Sequence, residues 1–258
     1  MNLFLFPNGA TDSRRASAIR CLKFLTDRFS CFVSPQDMTW LAPYGVLPGS
    51  PDQCDMVVSL GGDGTALRAA SLAMAADKPL LGINAGHKGF LCAMHEADLP
   101  QLTPDALSRL TLTRRALLGY TWDGQSRFAL NDVVLGKTDF GTTLDVTCKL
   151  DGAFLTSWQG DGVLAATPTG SSAYNLSAGG PMLLPSSACF VVTPLCPMGR
   201  QAASLVIPDT STLTLSAVPR NATLAPCVYA DGVRLGEIHG EFTLQKHPRS
   251  LTLLSRLP

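Results

Sequence analysis

The chain has 258 residues, enough to bury one or two hydrophobic cores without disulfides or a structural metal. Twenty Lys and Arg balance twenty Asp and Glu, so no net charge draws it to nucleic acid or an anionic membrane. Any anion it binds must be held by local geometry. Its eight cysteines stand singly, without a C-x-x-C pair, as small buried hydrophobes of a reducing compartment do. The opening MNLFLFPNG lacks the basic flank and cleavage site of a secretory signal, and no apolar stretch nears the ~18 residues of a spanning helix. The expectation is a soluble, cytoplasmic protein.

In chain order, Leu3–Phe6 reads as a buried strand, and Ala18, Leu22, Leu25 and Phe29 give the stretch from Ser13 to Phe29 the apolar face of a helix. A Pro- and Gly-rich loop, Leu41 to Asp52, leads to a second strand over Met56–Leu60, an Ala-rich helix over Ala66–Ala76 and a strand over Pro79–Ile83. Such alternation predicts a parallel sheet covered by helices. Leu99–Leu110 is the expected helical connector. Beyond residue 117 the pattern turns to short β-branched or alternating runs, at Phe128–Leu135, Thr143–Leu150, Gly162–Thr167, Phe190–Thr193, Leu213–Ala217 and Phe242–Gln245. The organisation predicted is an α/β N-terminal domain, residues 1–98, followed by a mainly β domain, residues 99–258.

Leu60–Thr65, LGGDGT, lies between a strand and a helix. Gly61, Gly62 and Gly64 allow a tight turn and close approach of a ligand, so loop amides, the helix N-terminus and Thr65 can face phosphate. Asp63 cannot serve there to bind anions. It suits either a magnesium-directed carboxylate or a base for an attacking hydroxyl. The loop is neither a Walker A sequence nor a G-x-G-x-x-G fingerprint, and taken alone GGDG is equally compatible with a plain turn. Gly160–Leu183, GDGVLAATPTGSSAYNLSAGGPML, adds hydroxyls, an aromatic face at Tyr174 and a second close-approach turn from Ser177 to Gly180, a set that suits a nucleoside better than a lipid tail.

LGGDGT resembles the motif shared by NAD kinases, diacylglycerol and sphingosine kinases and 6-phosphofructokinases. The Gly160–Leu183 run is similar to the long signature of the NAD kinases alone. Gly82–Leu91, GINAGHKGFL, and the pair Asn131-Asp132 extend the resemblance. It implies the two-domain NAD kinase fold, with a Rossmann-like α/β domain, an all-β domain forming most of the NAD pocket, and NAD between them. It also implies transfer of the terminal phosphoryl group of ATP to the adenosine 2′-hydroxyl of NAD, with Mg²⁺ as cofactor and a homodimer or homotetramer as the assembly. By the same resemblance Asn131 reads the adenine or its ribose and Asp132 accepts from a ribose hydroxyl. Ser172 and Tyr174 belong to the adenosine pocket, Asp161 and Ala173 reach towards the nicotinamide, and Ser177 joins the NAD-binding set. Asn84, with Gly86 and Gly89, helps build the cleft.

Arg68, Lys88 and Lys137 are candidate phosphate contacts, and His87 is a supporting candidate. Two departures stand out. Thr193–Asp209 carries Met198 where the family usually has His, and Ala203-Ser204 where it has Arg-Pro, leaving Arg200 to remake a lost contact. The family also commonly continues past the position of Pro258 with a helix returning to the first domain. A lipid or other small-molecule kinase and a weakly active NAD(P)-binding regulator are the rival assignments.

Overall fold

The computed structural model describes residues 1–84, 89–139, 141–199, 202–220 and 225–255. It divides into two compact units, one of residues 1–114 with 251–258, the other of residues 115–250. The boundary thus falls sixteen residues after the expected position at 98, because Thr111–Arg115 is still a strand of the first sheet. The chain returns to that sheet through the strand Leu251–Ser255, whose Leu253 pairs with Leu80.

The sheet of the first unit runs Leu47–Pro48, Ser30–Val33, Asn2–Pro7, Met56–Leu60, Leu80–Asn84, Leu251–Ser255, Thr111–Arg115. Its strands from Leu47–Pro48 through Leu251–Ser255 pair in parallel. Met56–Leu60 and Leu80–Asn84 are buried at every residue, as strands covered on both faces must be. The first helix, Asp12–Leu25, is capped by the Thr11 hydroxyl accepting from Arg14 N–H, and buries Ala18, Cys21, Leu22 and Leu25. The second major helix spans Asp63–Ala75 and packs through Thr65, Ala66, Ala69, Ala70, Ala73 and Met74. It begins three residues before the expected Ala66, since Gly62 is its N-cap and the glycine loop is its first turn. The connector is broken in two: a 3₁₀ turn over Glu96–Gln101, then a short helix over Pro104–Ser108. Pro104 holds Thr103 extended, and the Thr103 hydroxyl accepts from Ala106 N–H to start the second piece afresh.

The second unit contains two six-stranded antiparallel sheets. One core draws on both: Val133, Leu135, Val163 and Ala165 from one sheet meet Val146, Leu215, Phe242 and Leu244 from the other. The opposite face of the first of these sheets, with Val134, Leu164, Ala166 and Val191, is covered by Ala178 and Leu183 of the long signature. The expected single strand Phe128–Leu135 is in fact two. Gln125–Ala129 lies in one sheet, Asp132–Gly136 lies in the other, and Leu130-Asn131 forms the corner between them.

Candidate functional site

In the first unit, the strands Asn2–Pro7 and Met56–Leu60 are neighbours, and their connections leave the sheet on opposite sides. That switch in strand order opens a crevice at the carboxyl ends of the strands, where α/β sheets bind ligands. Asn8 follows one strand and the glycine loop follows the other. The Asn8 amide donates to Thr65 Oγ1 at 3.1 Å and Gly61 N–H donates to the Ile83 carbonyl, fixing the loop to both neighbours. A Cβ on Gly61 would stand 2.4 Å from Thr65 Oγ1, whereas one on Gly62 or Gly64 would meet nothing within 4 Å. Gly61 is therefore required by packing; Gly62 and Gly64 keep the loop surface open.

Above the loop lies a hollow of about 590 Å³ lined by Leu60, Gly61, Gly62, Gly64, Thr65 and Asn84, by Asn8, Ser13 and Ser17, and by Arg14 and Arg68. Asn84 is buried to 3% exposure at the end of its strand. Among the described residues the lining includes two arginines and no Asp or Glu, a charge balance that favours an anion. Asp63 faces elsewhere: its oxygens accept N–H from Phe90 at 2.7 Å and Leu91 at 3.1 Å, and a Cβ on Gly89 would collide with the carboxylate at 2.1 Å. Asp63 thus ties the helix start to the segment after Leu80–Asn84. A carboxylate has about four acceptor sites, of which these two N–H groups take two. Gly86, His87 and Lys88 lie outside the described residues, as does Arg200.

The second unit gathers the remaining candidates. All six backbone polar groups of the corner Leu130–Asp132 are paired: the three N–H groups with the Asp231 carboxylate at 2.8, 2.7 and 3.3 Å, the three carbonyls with Thr167 Oγ1, Thr167 N–H and Asp231 N–H at 2.6, 2.9 and 2.9 Å. A Cβ on Gly170 would stand 2.0 Å from the Asn131 carbonyl oxygen, so the Thr169-Gly170-Ser171-Ser172 turn lies directly on the corner. That turn is held by Ser171 Oγ donating to the Pro168 carbonyl and accepting from Leu183 N–H, and by the Asn175 amide donating to the Ser171 and Pro181 carbonyls. Ser172 Oγ donates to the Thr169 carbonyl at 3.2 Å, and Ala173, Tyr174 and Ser177 follow on one short helical turn. Tyr174 is 49% exposed, so its ring is not core packing.

Asp132 is 6% exposed, and burial followed by the nearby charge of Asp231 pushes its carboxyl up to about 7. Asp161 carries a different partner: its carboxylate lies 2.6 Å from Lys137 Nζ, so Lys137 is engaged within this unit instead of standing free for phosphate. Ser204, one of the departures from the family pattern, brings its hydroxyl to 3.1 Å from Thr193 Oγ1, which donates to Asn175 Oδ1. The altered segment therefore props the signature turn from beneath. Two residues central to this arrangement, Thr167 and Asp231, escaped sequence reasoning; the Asp-Gly pair at 231 was the available signal.

All eight cysteines are free, and burial pushes the thiols of Cys21, Cys31 and Cys148 up to about 12, which leaves them inert at neutral pH. Among the described residues, no three His, Cys, Asp or Glu side chains form a metal-binding group, and no helix is long and apolar enough to cross a membrane.

Residues 42–110 match the ATP-NAD kinase N-terminal domain model and residues 130–241 the ATP-NAD kinase C-terminal domain model. The chain is 38% identical to the NAD kinase of Flavobacterium johnsoniae over 64% of its own length and 59% of that protein's. It is 37% identical to the NAD kinase of Desulfatibacillum aliphaticivorans over 82% of its length and 76% of that protein's. In fold it is similar to yeast NADH kinase in complex with NADH, with a TM-score of 0.85, 22% identity and coverage of 99% of this chain and 83% of that one. The NAD kinase of Archaeoglobus fulgidus in complex with ATP is likewise similar, with a TM-score of 0.73, 22% identity and coverage of 99% and 93%. The glycine loop with its anion-favouring hollow, the corner under the signature turn and these matches agree: the chain belongs to the NAD kinase family, phosphotransferases whose acceptor is an alcohol group of NAD.

Proposed function

We propose that this chain transfers the terminal phosphoryl group of ATP to the adenosine 2′-hydroxyl of NAD, with a separate set of residues for each substrate. The donor phosphates occupy the hollow over Gly61, Gly62, Gly64 and Thr65, where Arg14 and Arg68 supply positive charge and the first turn of Asp63–Ala75 supplies N–H groups. The acceptor is held by the second unit. Asn131 and Asp132 bind the adenosine ribose, Tyr174 stacks on the adenine, Ser172 and Ser177 add hydroxyl contacts, and Asp161 with Ala173 serve the nicotinamide end. The carrying observation is the corner itself, where a carboxyl group buried to 6% exposure stands at a strand start directly beneath the glycine- and serine-rich turn.

Asp63 takes the proton of the attacking 2′-hydroxyl through a lone pair not used by Phe90 and Leu91 N–H. The charge on the transferring group is met by the arginines and loop amides. Mg²⁺ would supply further charge neutralisation at the donor phosphates, and Asp63 is the residue that would hold it from the protein side. Free, largely buried thiols support a reducing, cytoplasmic setting. A homodimer or homotetramer is the expected assembly.

The test is formation of NADP from NAD and ATP by the purified chain, followed through an NADP-specific dehydrogenase. Magnesium-dependent NADP formation supports the assignment. Its absence, with diacylglycerol or sphingosine phosphorylated instead, overturns it.

A further inference from the structure

Three two-residue hairpin turns in the second unit are built from Asp-Gly pairs, at 123–124, 151–152 and 231–232. Both residues of each pair have positive φ: 50° and 71°, 51° and 82°, 49° and 78°. Such a turn forms from its backbone alone and does not demand a distant partner for the aspartate side chain. At Asp151 the side chain accepts one N–H, from Thr212 at 2.8 Å. Asp231 is different, since its two oxygens accept all three N–H groups of Leu130, Asn131 and Asp132, a hundred residues away in sequence.

Leu130 and Asn131 leave one sheet for the other and belong to neither ladder, and Asp132 is the first residue of its strand, opposite Ala166. An unpaired corner would have many conformations, and the Asn131 and Asp132 side chains would spread with it. We propose that Asp231 is a positioning residue for the acceptor substrate: by fixing the backbone of Leu130–Asp132 it sets where the Asn131 amide and the Asp132 carboxyl meet the adenosine ribose. The inference rests on the assignment of Asn131 and Asp132 to the NAD side. Thr167 completes the cradle from the carbonyl side, through Oγ1 to Leu130 and N–H to Asn131, while the same Oγ1 accepts from Gly170 N–H at 3.1 Å. Corner and signature turn are thus held by one pair of residues. The negative charge matters as well as the shape, because an amide in place of Asp231 would turn one NH₂ towards N–H donors that need an acceptor.

The experiment compares Asp231→Asn, Thr167→Val, Asp151→Asn and Asp132→Asn in the full chain, each with a thermal midpoint and KM for NAD and for ATP. Asp231→Asn is expected to raise KM for NAD about tenfold or more while KM for ATP stays within about twofold. Thr167→Val should move KM for NAD the same way and provides the answer if Asp231→Asn does not fold. Asp151→Asn, a substitution in the same turn type, should leave both constants unchanged. If Asp132→Asn leaves KM for NAD unchanged, the assignment of the corner to NAD is wrong. If Asp132→Asn raises it but folded Asp231→Asn does not, the positioning role alone is overturned. A loss shared equally between NAD and ATP, alongside a lowered midpoint, also overturns it and makes Asp231 a stabilising turn residue only.

Discussion

The glycine loop of the first unit and the corner of the second are fixed in the same way, by an aspartate accepting backbone N–H groups from a distant segment. They differ in where that aspartate stands. Asp63 lies inside the motif it supports and is also the proposed base, so anchoring and chemistry are joined in one side chain. Asp231 lies in a hairpin far from the residues it holds and touches them through the main chain only. Combining roles makes a residue conspicuous in sequence but hard to probe, since any substitution disturbs both; separating them hides the anchor but leaves it open to a clean test.

Asp63→Asn is where the combination should show most strongly. Loss of the base predicts a fall in kcat of roughly 10² to 10⁴. The substitution also sets an NH₂ group against Phe90 or Leu91 N–H, so increased hydrogen exchange at those two amides should accompany it. Full activity in this variant would remove Asp63 from the reaction. Partial recovery by excess Mg²⁺ would favour its metal-directed role.

The glycines sharpen the contrast between the regions. Gly170→Ala must push the Asn131 carbonyl aside and is expected to cost about 1 to 3 kcal/mol of stability and most NAD binding. Gly64→Ala meets no protein atom, so the thermal midpoint should hold while KM for ATP rises as the methyl group intrudes on the donor hollow. A Gly64→Ala enzyme with wild-type kinetics would show that phosphates do not approach the loop.

Stability against pH distinguishes the corner again. The Asp132 carboxyl is raised from an ordinary 3.8 to about 7 by burial and by Asp231, so between those values the folded chain binds more protons than the unfolded one. Its contribution is full below about pH 4 and is lost as the pH rises through 7. Thermal midpoints across pH 4 to 8 should therefore fall less steeply in Asp132→Asn than in the wild type; identical slopes would mean that Asp132 does not titrate there. The smallest effect expected is that of Tyr174→Ala, about 1 to 3 kcal/mol of NAD affinity from lost base stacking. With half its surface exposed, Tyr174 should give up little stability, and a large drop in midpoint with unchanged NAD affinity would reverse its assignment.

The alternation of strand and helix through residue 84 was legible because buried parallel strands such as Met56–Leu60 are continuous apolar runs, and the helix behind them repeats Ala at helical spacing. The corner was not. Phe128–Leu135 has the composition of a single strand, and what divides it is a carboxylate a hundred residues away, which no local window contains. Candidate ligand-facing residues, such as Tyr174 and the glycines of the loop, can be proposed from motif chemistry alone. Lys137 shows the limit of that reasoning: it has the charge for phosphate, but Asp161 lies 2.6 Å from its ammonium group. The connector failed for a local reason that was on view, the Thr103-Pro104 start of a second helix.

The strand Leu251–Ser255 lies between Leu80–Asn84 and Thr111–Arg115, so the first sheet is completed by residues that follow the whole second unit in the chain. During translation the whole of residues 115–250 emerges before that gap can be filled. Until then the nascent chain carries an open strand edge along Leu80, on the same strand whose far end, Asn84, lines the hollow over the glycine loop. A chain cut short before residue 251 would present that edge to its neighbours.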